Sequence, residues 1–150
     1  MVFDPRKVEA RLALNLIPSG EMPALAADVL ESGLDGPTIR RVAASDSPTF
    51  FEIQPVLTQM MQEMHLARLE KEEAALRLAK LRAQEILSAG SDPLKHLRDF
   101  ESLWIAADYC QAVQEYGTLD DELHVSKYME QSEQDIRDLI LAKLRKLAET

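Results

Sequence analysis

Three histidines, His65, His96 and His124, and one cysteine, Cys110, are the side chains whose ordinary titration lies nearest neutrality, so acid–base or nucleophilic chemistry would start with them. A thiol nucleophile needs a neighbouring base. His96 or His124 could serve Cys110, yet no sequence feature brings them together or lowers the thiol pKa. A lone cysteine between Tyr109 and Ala112 reads instead as a small core residue. Metal chemistry has equally thin support. A helical di-iron centre uses paired Glu-x-x-His motifs, and this chain offers one approximate copy, Asp121-Glu122-Leu123-His124; Cys-x-x-Cys and His-Glu-x-x-His spacings are absent. The five glycines, Gly20, Gly33, Gly36, Gly90 and Gly117, fall at expected helix ends or turns, which leaves no glycine-rich phosphate loop. The expectation is a noncatalytic protein without metal or cofactor.

Charge points to two candidate binding surfaces. Residues 25–43 read like a helix-turn-helix, with Gly33 in the turn, Leu34, Ile39 and Val42 inward, and Thr38, Arg40 and Arg41 projecting toward a DNA groove. Opposing that reading are a short second helix, the nearby acids Glu31, Asp35 and Asp46, and a formal net charge of −9 that repels nucleic acid and anionic membranes. The second surface is acidic: Asp120, Asp121, Glu122, Glu130, Glu133 and Asp135 could steer a positively charged protein. The leading expectation is therefore an interaction module for a basic protein partner, an antidote, immunity-type protein or regulator. The DNA-binding regulator is the alternative.

These residues must be positioned by helices, because no stretch alternates with period two over strand length and carries β-branched enrichment. Asp4-Pro5 and Asp92-Pro93 each pair an N-cap acceptor with proline at the first helical position. Between Pro55 and Ala89 there is no further proline or glycine, which predicts one long helix over about 55–89. Its apolar stripe, Leu57, Met60, Met61 and Met64, lapses at the charged run Arg68 to Glu73 and resumes at Leu76, Leu78, Ala79, Leu81, Ile86 and Leu87. Phe50 and Phe51 are expected to anchor the N-terminal part. Leu94 to Ala107 should form a hairpin with Leu76 to Leu87 and continue to Gly117. Ser132 to Asp135 resembles a capping box and opens a last helix with Ile136, Leu139, Ile140, Leu144 and Leu147 on one face. The expected fold is an all-α helical bundle of two small lobes, 1–65 and 66–150, sharing the long helix.

Two stretches, residues 23–43 and residues 83–148 through Asp92-Pro93, Leu97, Leu103 and Leu119-Asp120-Asp121-Glu122, resemble segments of small uncharacterised all-α bacterial proteins without assigned activity. The resemblance implies all-α architecture and a bacterial setting, and it supplies no functional residue. One cysteine cannot form an internal disulfide, charges occupy the N-terminal stretch where a signal peptide needs an apolar core, and no window approaches a membrane span. A cytoplasmic protein is expected, with homodimerisation through Met60, Met61 and Met64 of the long helix as a further option.

Overall fold

Acceptor–proline pairs open two of the segments, as their chemistry dictates. In the computed structural model, which describes residues 2–129 and 132–150, with 126–128 by backbone alone, the Asp4 carboxylate accepts the Lys7 amide at 3.3 Å and starts α1 (Pro5–Ala13). Asp92 likewise accepts the Leu94 amide at 3.1 Å, but it opens a single 3₁₀ turn, Pro93–Lys95, ahead of the helix proper. The described residues are helical or irregular, and none is in a strand. Internal contacts divide the chain into two compact units, 1–69 and 70–150.

The first unit contains α1, α2 (Met22–Glu31), α3 (Pro37–Ala43) and α4 (Phe50–Glu63). Leu12, Met22, Ala26, Val29, Ile39 and Val42 form its core with Ile53, Met60, Met61, Met64 and Leu66 of α4 and the chain beyond it. The α3 N-terminus is capped from a distance: the Glu63 carboxylate accepts the Thr38 and Ile39 amides at 2.9 and 3.0 Å.

The long helix expected over 55–89 is two helices. The first begins early, at Phe50, where Glu52 Oε1 accepts the Thr49 amide and hydroxyl at 3.4 and 3.2 Å. It carries Pro55 inside it and stops at Glu63. His65 then adopts φ 57° while its amide and that of Leu66 donate back to the Gln62 and Met61 carbonyls at 3.1 and 2.9 Å. That is a Schellman ending with histidine where glycine is usual. The apolar contact that accompanies such endings explains it, because Leu66 turns into the core beside Met61 and Met64. Glu9 holds the exit by accepting the Ala67 amide at 2.7 Å.

The second unit contains α5 (Lys71–Ala89), α6 (Leu97–Ala106), α7 (Gln114–Gly117), α8 (Leu119–Tyr128) and α9 (Glu133–Glu149). Its organising pair is α5 with α9, rather than the expected α5–α6 hairpin. Ala74, Ala75, Ala79 and Ala83 are buried along α5, and small residues there let Ile136, Ile140, Leu144 and Leu147 approach. Leu76 and Leu139, expected inward, are 38% and 57% exposed. Lys80 and Gln84 of α5 donate to the carbonyls of Thr150 and Ala148, satisfying the end of α9. Asp92 also takes a two-pronged pair from Arg137, at 3.0 and 3.1 Å, which ties the turn before α6 to α9.

The second helix of the expected hairpin, α6, does not run on to Gly117. It ends at Ala106, and Asp108 and Tyr109 both take left-handed backbone, φ 56° and 57°. The chain then returns so that Gly117 lies against Trp104. A Cβ at Gly117 would come within 2.5 Å of the tryptophan Cβ, so only glycine fits beneath that ring.

Candidate functional site

The histidines and the cysteine do not converge. His96 is engaged by Arg82, with Nη2 to Nδ1 at 3.0 Å, and His124 lies 3.7 Å from the Asp120 carboxylate one turn earlier on α8. Cys110 is a partly buried free thiol in the loop after α6. Among the described residues no group of three or more His, Cys, Asp or Glu side chains is arranged to hold a metal ion.

The helix-turn-helix reading loses two of its three contact residues. Thr38 is 4% exposed, and its amide donates to the Glu63 carboxylate at 2.9 Å. Arg40 is exposed but forked onto the Asp35 carboxylate, with Nε to Oδ1 at 2.7 Å. That pairing holds the Asp35 carboxyl below its usual range and raises the Arg40 guanidinium. Arg41 alone remains exposed without a described carboxylate partner. Met60, Met61 and Met64, considered as dimer contacts, are 0, 6 and 1% exposed and belong to the core of the first unit.

The acidic surface is partitioned rather than continuous. Glu122 faces Lys143 of α9 at 3.6 Å, Glu133 lies 3.7 Å from Arg137, and the Asp135 amide donates to the Ser132 cap at 3.0 Å. Glu130 lies outside the described residues. Asp120 and Asp121 instead line a hollow of about 350 Å³ between α6 and α8, opposite Arg98, Glu101, Ser102 and Ile105. Helical geometry explains the division. Asp120, His124 and Asp121 fall within about 100° of arc on α8, whereas Glu122 lies about 100° beyond Asp121 and meets α9. Ile105 is 46% exposed on one wall, and Val125, one turn past Asp121, is 63% exposed.

Glu101 and Ile105 were missed by sequence reasoning, because α6 reads there as a simple amphipathic helix with Phe100 inward. Their only signal is that Ile105 falls off the buried face set by Leu97 and Phe100. The hollow thus combines three carboxylates with Arg98, Ser102, His124 and the apolar Ile105, an arrangement that can set the methylenes of a lysine or arginine on the isoleucine and its charge beside the carboxylates. The Ser102 hydroxyl donates to the Arg98 carbonyl at 2.9 Å, and His124 lies 3.7 Å from Asp120.

No helix of the described residues is long and apolar enough to cross a membrane. Comparison with family models, curated proteins and solved structures returned no match.

Proposed function

We propose that this chain is a noncatalytic protein-binding module of a bacterial cytoplasm that captures a basic partner at the α6–α8 hollow, acting as an antidote or regulator of it. The observation that supports this reading is the gathering of Glu101, Asp120 and Asp121 around the exposed Ile105. Carboxylates in a shallow hollow attract a cationic partner at a distance, and the isoleucine offers apolar contact to the methylenes of the arriving side chain. The net charge of −9 reinforces the attraction over the whole surface. Glu122 and Glu133 face Lys143 and Arg137 across 3.6 and 3.7 Å, and those positive charges offset part of their field.

The purified chain, used as bait in a bacterial lysate at moderate salt, should retain a stoichiometric basic protein. Changing Glu101→Gln, Asp120→Asn and Asp121→Asn together should weaken that complex about 5–10-fold, mostly by slowing association and flattening its salt dependence. The pair Glu122→Gln and Glu133→Gln should change association less. Equal effects of the two sets, or an unaltered salt dependence, would remove the hollow from the binding surface. Retention of duplex DNA in place of protein would favour the helix-turn-helix reading through Arg41.

A further inference from the structure

The first unit carries a second surface of different chemistry. Two adjoining hollows, of about 190 and 150 Å³, share Leu12, Asn15, Gln54 and Leu57 and so form one groove between α4 and the end of α1. Along α4 the groove is lined by Phe50, Ile53, Leu57 and Met61, whose spacing of three and four residues keeps them on one face for about three turns. At one end the two phenylalanines expected to anchor the core are on the surface. Phe50, 56% exposed, lines the groove; Phe51, 84% exposed, lines neither hollow but stands beside it with its ring edge to face on Phe50 at 5.8 Å. At the other end lies Arg68, exposed and hydrogen-bonded to the Thr58 hydroxyl. Neither hollow has a carboxylate in its lining. In a chain carrying nine more acids than bases, a groove lined by apolar and neutral polar side chains and ending in an arginine is a place where negative charge is accepted, even with Glu9 bound at the neighbouring Ala67 amide.

We infer that this groove docks one amphipathic α-helix of a partner protein, with its apolar anchors against Phe50 and Leu57 and an acidic residue beside Arg68. Three turns of groove match the spacing at which a docked helix repeats its anchors, and the exposed aromatics supply the area that such anchors cover. The carboxylate fixes the direction in which the helix lies. The inference is independent of the acidic hollow, which lies in the other unit and takes the opposite charge.

The test uses the whole chain and a pair of fluorescein-labelled, stapled helices of about 15 residues. Both carry leucine and phenylalanine anchors at groove spacing; one ends in glutamate and the other in lysine. The glutamate helix should bind about fivefold more tightly, the scale of one partly screened ion pair. It should shift the amide resonances of Leu12, Asn15, Ile53 and Leu57. Arg68→Glu should reverse the preference, and Phe51→Ala should weaken both helices while leaving thermal unfolding unchanged, since that ring is almost fully exposed. Equal affinity for the two helices, resonance shifts elsewhere, or no binding of either overturns the inference. A concentration-dependent dimer abolished by Phe51→Ala also overturns it and assigns the face to a second copy of the chain.

Discussion

Glu63 concentrates several roles in one carboxylate. It accepts the Thr38 and Ile39 amides, receives Gln59 Nε2 at 3.3 Å, and lies where a side chain at Gly36 would stand, 2.1 Å from the position of a Cβ. Partial burial pushes its carboxyl up, but the hydrogen bonds from Thr38, Ile39 and Gln59 outweigh this and hold it below its usual range. The two residues should therefore behave as one device. Glu63→Ala should cost about 1–3 kcal/mol, the range for losing charge-assisted bonds to orphan helix amides. Gly36→Ala should cost a similar amount by displacing the carboxylate, although its extended backbone tolerates any residue. Urea unfolding of the two single variants and the double variant checks this: the double should lose much less than the sum. Additive losses would mean that Gly36 and Glu63 act separately.

His65 decides how a run of uninterrupted helix formers becomes two helices. A left-handed backbone costs an L-residue about 1–2 kcal/mol, and here the burial of Leu66 against Met61 and Met64 offsets it. His65→Val should destabilise the protein by about 1–2 kcal/mol, since a branched Cβ is least compatible with that conformation. His65→Gly should be at least as stable as the parent, and denaturant midpoints give the order directly. If valine and glycine were equivalent, the Schellman ending would carry no weight. The same residue shows what was legible in the sequence and what was not. The all-α class, the caps at Asp4, Asp92 and Ser132 and the lapse in apolar pattern near Arg68 all follow from local chemistry. The break itself does not, because it depends on where a leucine finds its core. Glycine marks left-handed endings by type, as at Gly90 with φ 63°, whereas histidine and aspartate at positions 65 and 108 give no such signal. The site was half legible for a related reason. Asp120 and Asp121 were recognisable as acids, but only the packing of α6 beside α8 adds Glu101 and Ile105 and turns Glu122 away. Phe50 and Phe51 misled because apolar type does not reveal which helical face is covered.

Over the whole molecule, each unit contains a carboxylate whose ionised form is favoured by the fold. In residues 1–69 the partly buried one is Glu63, alongside the exposed Asp35 paired with Arg40; in residues 70–150 it is Asp92, lowered chiefly by its hydrogen bonds from Arg137, with the Leu94 amide assisting against partial burial. For Glu63 and Asp92, the folded pKa lies below the ordinary values of about 4.3 for glutamate and 3.9 for aspartate. The unfolded chain therefore binds protons first as pH falls. The stabilisation is fully present above those ordinary values, declines below them, and is lost once pH passes through the folded values. Thermal midpoints should accordingly fall between about pH 5 and pH 2. The units can be followed separately in part, because Trp104, the chain's single tryptophan, lies in the second. Asp92→Asn should flatten the acid dependence of the Trp104 fluorescence transition and lower its midpoint at neutral pH, having lost an ionic partner for Arg137. Glu63→Gln should flatten the acid dependence of helix loss read by far-ultraviolet circular dichroism. An acid slope unchanged by both substitutions would place the acid sensitivity in other groups. Parent transitions that coincide by both probes would show the units unfolding together, and a separation between them would show each core melting on its own.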